Sequence, residues 1–440
     1  MNNRWKMTFL KTIRCLCLPL VFALGLLTII ATGGGGESGV RFTLETYVAV
    51  ADLNGDSFND IAVTKVHIYH APPHPGYVSV LLQNPNAPGS FMPVTEYPVG
   101  SDPWFVAVSD VNADTLPDLI VANEQSHTIS ILLQASSANG SFVNSISFPT
   151  GKHPMSIAID DLNGDTLADI AVGGSDLSLH FQDPSNPVSF LPVEKILVDP
   201  DKGGNHVAIG DIDADGLPDL VISQGGYFSI DTITCWGGSV SVFLQDEKSP
   251  GVFNPAITSP AADSTQPTFV AINEFNADGS LDLAVVNHGT PQDGSTASVS
   301  ILHQDPITPG AFLPPVHYAT GFRSSTVAIS DLDADGLPDL AVSNSGILVA
   351  DYGPFIDTYG VIGSVSVLLH DSTNPGNFLP AKNYEDSSGY HAVAIGDLNG
   401  DSKPDLAIAS DGVPVLFQDP TRPGQFLPRV LVETGSSLPD

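Results

Sequence analysis

Seven nine-residue stretches of this 440-residue chain place oxygen-bearing side chains at positions 1, 3, 5 and 9. They are Asp52, Asn54, Asp56 and Asp60; Asp110, Asn112, Asp114 and Asp118; Asp161, Asn163, Asp165 and Asp169; and Asp211, Asp213, Asp215 and Asp219. The remaining three are Glu274, Asn276, Asp278 and Asp282; Asp331, Asp333, Asp335 and Asp339; and Asp397, Asn399, Asp401 and Asp405. Such spacing suits Ca²⁺, which takes six to eight oxygen ligands at about 2.4 Å in a forgiving geometry. Positions 1, 3 and 5 can converge as the loop curls, a backbone carbonyl at position 7 adds a ligand, and the acid at position 9 can close the shell. Up to seven structural Ca²⁺ ions are therefore expected. The plainer reading is that Asp and Asn are ordinary turn formers. Seven repetitions weigh against it, because acids crowded this closely repel one another without a cation.

The loops differ in quality. Those at 211–219 and 331–339 carry Asp at all four positions and Gly at position 6. Glu274 has a longer arm, and four loops put Ser57, Thr115, Thr166 or Ser402 where a positive-φ bend would favour Gly. The weakest sites are expected among these five. The chain holds 49 acidic against 15 basic residues, a net charge of −34. That balance excludes nucleic acid as a partner, since phosphate binding needs a basic face.

The loops recur at intervals of 50 to 66 residues, and a second landmark alternates with them. A Gln or His precedes a Phe by eight residues: Gln83/Phe91, Gln134/Phe142, Gln182/Phe190, Gln245/Phe253, Gln304/Phe312, His370/Phe378 and Gln418/Phe426. Each unit reads as four strands. A short small-residue strand leads into the acidic loop, an apolar strand follows, then one of period two such as Gly238–Gln245, then a Pro-rich turn and a fourth strand beginning at the Phe, as at Phe253. Seven such units, punctuated by 41 Gly and 36 Pro, predict an all-β, seven-bladed propeller over 41–432 with four antiparallel strands per blade. The last unit is complete, so strand exchange between the termini is not required. Arg41–Leu44 is available as an added strand for the seventh blade.

These acidic motifs resemble the FG-GAP/VCBS-type repeats found in integrin α-subunit propellers and in many exported bacterial proteins. Phe-Leu-Pro stands near the fourth strand in place of clear Phe-Gly and Gly-Ala-Pro signatures, which places the chain nearer the bacterial branch. The resemblance implies a propeller with calcium in the loops between first and second strands. It does not fix the function, because the fold hosts adhesion, sugar binding and occasional catalysis.

Residues 1–33 read as a secretory signal, with Arg4, Lys6, Lys11 and Arg14 before an apolar run from Cys15 to Ala31. The run is long enough that an uncleaved N-terminal anchor is the alternative. Lipidation fits poorly, because Cys15 and Cys17 lie too early. A Gly-rich linker covers 34–40 and a short tail 433–440. The expected location is secreted, cell-surface or periplasmic. Beyond the leader only Cys235 remains, which excludes an internal disulfide.

Connections in a propeller alternate between its two faces, so the acidic loops and Pro-rich turns share one. The other face receives the long second-to-third connections at 65–77, 224–238, 287–297 and 343–363. These carry His67, Tyr69, His70, His74, Tyr227, Phe228, Trp236, Tyr352, Phe355 and Tyr359. Aromatic side chains on extended loops suit recognition, including sugar stacking, and equally suit packing over the ring. His67, His70 and His74 also suggest a transition-metal site, without a fixed geometry. The lead-ins to the first strands add Trp104, His153, His206, Arg323 and His391 near the axis. The expected function is a binding or adhesion module for a carbohydrate or extracellular protein. The alternatives are a polysaccharide lyase or glycosidase, using acid/base groups among those axial residues, and a structural spacer in a cell-surface assembly. No Gly-x-Ser-x-Gly, His-Glu-x-x-His or P-loop motif occurs.

Overall fold

The computed structural model describes residues 42–68, 76–135, 140–143, 145–186, 188–198, 206–225, 228–229, 234–235, 238–261, 266–289, 297–352, 357–386 and 388–434. They form seven four-stranded antiparallel sheets, six built from four consecutive strands and the fourth with a two-stranded hairpin between its second and third strands. Blade 1 runs Phe42–Ala51, Asp60–Ile68, Gly76–Leu81 and Thr95–Val99; blade 7 runs Ala392–Gly396, Asp405–Ala409, Val413–Leu416 and Val430–Val432. The first strands touch their neighbours in a closed cycle, with Phe42–Ala51 packed between Ala392–Gly396 and Pro103–Ser109. The ring therefore closes without strand exchange. Among the described residues no helix is long and apolar enough to cross a membrane.

Burial explains the strand order. The second strands are buried throughout, as in Asp118–Asn123 and Asp282–Asn287, because blades pack against them on both sides. Their near-continuous apolar sequence follows from that double contact. Fourth strands such as Ile146–Pro149 lie outermost and are mostly exposed. The first strands put alanine at one shared position: Ala49, Ala107, Ala158, Ala208, Ala271, Ala328 and Ala394. Four of these line an axial cavity of about 380 Å³. Small side chains let seven strands converge there.

One expectation is corrected. Phe42–Leu44 does not join blade 7. It extends the first strand of blade 1, pairing Phe42 with Ile68 and Leu44 with Val66, past a register shift between Glu45 and Val48. The Phe of each Gln/Phe pair also precedes the fourth strand rather than starting it. Gln245 and Phe253 form an isolated bridge, and the strand proper begins at Ile257.

Candidate functional site: acidic loops on one face, a histidine junction on the other

In every loop the acid at position 9 is a buried clip. One Asp60 oxygen accepts the N–H of Leu53 at 2.9 Å and the other that of Gln83 at 2.7 Å. The same pair of bonds recurs at Asp118, Asp169, Asp219, Asp282, Asp339 and Asp405. The Gln/His landmark thus marks where the third strand is fastened to the acidic loop. Its side chain often does a second job. Gln134, Gln182, Gln304, His370 and Gln418 each bond the position-2 carbonyl of the preceding blade's loop. Loop and Pro-rich turn are consequently neighbours on one face, as expected.

The outer carboxylates are held by the loop's own backbone. Asp331 accepts the N–H groups of Asp335 and Gly336, Asp333 that of Asp335, and Asp335 that of Leu337. Two residues per loop sit at positive φ. Position 4 does so at Gly55, Ala113, Gly164, Ala214, Ala277, Ala334 and Gly400; position 6 at Ser57, Thr115, Thr166, Gly216, Gly279, Gly336 and Ser402. The bend inferred at position 6 is therefore present, together with a second one.

The residue at position 3 separates the loops. Asn54, Asn112 and Asn276 donate their amides to the position-5 carboxylates Asp56, Asp114 and Asp278. Asp213 and Asp333 have no hydrogen to give. There, Asp211, Asp213 and Asp215, and likewise Asp331, Asp333 and Asp335, bring carboxylate oxygens within 4.8 Å of one another. Burial, then the neighbouring acids, push the Asp213 and Asp333 carboxyls upward. Asp211 also keeps a buried oxygen with no hydrogen-bond partner. This donor set is hard, all-oxygen and anionic, and it fits Ca²⁺. Loop 274–282 departs from the pattern. A buried Glu274 oxygen is unpartnered, and His303 bonds Asp282 at 2.9 Å. The Asp282 hydrogen bond raises the His303 imidazole above its ordinary value, and a histidine stands here where other blades have an apolar residue.

The axial residues do not form one ring. His206 is buried, stacked on Phe269 with ring centroids 3.6 Å apart and close to Phe105. Tyr47 packs on Phe105 in turn, so these aromatic groups form an internal plug. Burial holds the His206 imidazole down at about 3 and that of His391 at about 4. Trp104 is half-buried in the first strand of blade 2. Arg323 is half-buried at positive φ, and its charge bears on His288. His153 is half-buried, and its partners are Glu124 and His127, which sequence reasoning passed over.

The described strand ends that the long connections join lie opposite the acidic loops. In blade 6 the second and third strands run on as Asp339–Tyr352 and Asp357–Leu368, pairing out to Tyr352↔Asp357. Tyr352 and Tyr359 lie on this extension, Tyr359 opposite Ala350. In blade 4 a small hairpin pairs Phe228 with Cys235. Tyr69, His70, His74, Tyr227, Trp236 and Phe355 lie outside the described residues, as do the side chain of His67 and the N-terminal segment 1–41.

A seven-bladed, all-β ring with a repeated acidic loop defines a repeat propeller. The FG-GAP-like repeat model matches residues 52–121, 110–172, 162–222 and 274–342, and the FG-GAP repeat model matches 389–425. The chain belongs to the FG-GAP-like repeat family.

Proposed function

We propose that this protein is an exported, calcium-stabilised binding module that recognises a carbohydrate or extracellular protein through the face opposite its acidic loops. The observation that carries the reading is the division of labour between faces. The acidic loops are fastened into the blade framework by their position-9 acids, whereas the opposite face carries the 14- and 12-residue strands of the blade 6 extension. Scaffold loops are short and tied down; recognition loops project.

Calcium would be held first at 211–219 and 331–339, through Asp211, Asp213, Asp215 and Asp219 and through Asp331, Asp333, Asp335 and Asp339. The position-9 oxygens keep a second lone pair for the ion. An extracellular module of this kind binds at about 10⁻⁴–10⁻³ M. The basic, apolar leader and the family's typical surroundings support export.

The test has two arms. Melting is compared in calcium and in chelator, and an unchanged transition would remove the ion from the reading. The calcium-loaded full chain is then probed against glycan and extracellular-protein arrays, beside a variant with 346–362 replaced by a short Gly-Ser turn. Binding lost in the variant supports recognition by this face. Turnover of a polysaccharide, abolished by His153→Ala or His391→Ala, would replace it with the lyase or glycosidase reading.

A further inference from the structure

On the face opposite the acidic loops, where blades 2 and 3 meet, Glu124 and His127 share the tight turn between Asp118–Asn123 and Thr128–Leu132. His153 leads into Ser156–Asp160 of the next blade. The Glu124 side chain is only 7% exposed and is paired with Nδ1 of His153, whose side chain is 40% exposed. The backbone N–H of His153 donates to Nδ1 of His127 at 3.1 Å. The two imidazole rings stand edge to face, with centroids 4.8 Å apart.

These bonds fix where the ring hydrogens lie. Nδ1 of His127 accepts, so its hydrogen is on Nε2. Nδ1 of His153 donates to a carboxylate, so the neutral ring carries its lone pair on Nε2. Among the described residues both rings are bonded through Nδ1, and no bond is made by either Nε2. Two adjacent imidazoles thus offer one donor and one acceptor of assigned polarity.

The arrangement costs backbone strain. His127 has φ +56° and His153 φ +50°; the His153 bend recurs at the same lead-in position of Asp102 (φ +51°) and Arg323 (φ +56°), and the His127 bend adds to it in this turn. Non-glycine residues in this region cost about 1–3 kcal/mol each and cluster at functional sites. Holding the turn does not require the side chains. Backbone bonds from Glu124 to Asp102, Gln125 to Ser101 and Thr150 to His127 already do so. Metal binding is disfavoured, because the protonated Nε2 of His127 cannot ligate and His153 is then a single ligand.

We propose that the Glu124–His127–His153 junction is a subsite for a hydroxyl group of a neutral sugar unit. A hydroxyl both donates and accepts, and so matches this pair. The net charge of −34 repels anionic ligands and favours neutral ones. The inference rests on the reading that this face binds ligand.

The full calcium-loaded chain is screened on an array of neutral glycans, and the strongest hit is titrated by calorimetry. His127→Phe and His153→Phe are each expected to weaken it about tenfold, the loss of one hydrogen bond to a polar ligand. Long-range ¹H–¹⁵N spectra of the wild-type protein are expected to show hydrogen on Nε2 of His127 and Nδ1 of His153. The spectra need no variant, so a misfolded substitution leaves the test intact. Opposite tautomers overturn the proposal, as does a wild type that binds no neutral glycan. A glycan bound equally by both variants overturns the subsite alone and leaves the binding-module reading standing. Binding of an extracellular protein with no glycan bound does the same.

Discussion

Left-handed backbone is required at positions 4 and 6 of all seven acidic loops, and six loops place a glycine at one of them. The loop at 110–118 has none, holding Ala113 at φ +60° and Thr115 at φ +72°. A β-branched residue pays most there. Thr115→Gly is therefore expected to stabilise the protein by about 0.5–1 kcal/mol, after the greater chain entropy of glycine is subtracted. Chemical denaturation checks this. Gly336→Ala, at φ +87°, is expected to destabilise by a similar amount. His206 makes a different prediction. Its folded-state imidazole is neutral down to about 3, while the unfolded one takes a proton near 6.5. The stability this contributes is full above 6.5 and is lost as pH falls below it, by up to about 1.4 kcal/mol per pH unit. Blades 2 and 5 place Phe105 and Phe269 at the equivalent position. His206→Phe should therefore fold and should show a flatter stability profile between pH 4 and 6.5.

The acidic loop as an element stands on its ninth residue. Asp339→Ala would leave the N–H groups of Leu332 and His370 buried without acceptors. Each costs about 1–3 kcal/mol, so a loss of about 3 kcal/mol is expected in denaturant titrations. Asp339→Asn should rescue only part of it, because the amide offers one acceptor and turns a donor toward the other N–H. Burial pushes the carboxyls of Asp60 and Asp405 up to about 7 and those of Asp118, Asp169, Asp219 and Asp339 to about 6. The fold thus favours their protonated forms. That stability is full below the unfolded value and is lost as pH rises through 6 to 7. A cation replaces the proton, so the calcium-induced rise in melting temperature is expected to be larger at pH 7.5 than at pH 5. Most of this element was legible in sequence, since oxygen side chains at positions 1, 3, 5 and 9 and the eight-residue interval from Gln or His to Phe survive in all seven copies. The Glu124–His127 turn was not. It is four residues long, with no insertion or period to mark it, and its significance arises only when His153 of another blade is brought beside it. Phe42–Leu44 was misplaced for a related reason. An alternating strand states which side is apolar, not which edge it pairs with.

At the scale of the whole ring, the seam between blades 7 and 1 must hold without a shared strand. Apolar packing does much of this work, joining Val48, Ile61, Val63 and Leu81 to Leu398, Ala407, Val413 and Val415. Gly396 lies so close to Val50 that a β-carbon would sit 2.5 Å from its methyl. One tie found at five other junctions is missing, because the Gln83 amide bonds Asn59 of its own blade instead of the Leu398 carbonyl. Lys65 supplies a different one. Its side chain is wholly buried in blade 1, and its amine bonds Glu96 at 3.0 Å and the Thr434 carbonyl, just beyond the last strand of blade 7, at 3.2 Å. A buried ammonium is tolerated only with such partners. Lys65→Met fills the same space and removes the tie, and is expected to cost about 2 kcal/mol, tempered by the partial exposure of Glu96. Truncation after Val432 should act on the same bond from the other side. If the latch closes the ring, hydrogen exchange will quicken in Phe42–Ala51 and Ala392–Gly396 in both variants, while His206–Gly210 keeps its protection. Uniform quickening around all seven blades would instead mean that Lys65 supports the core in general and that the seam is held by its apolar contacts alone.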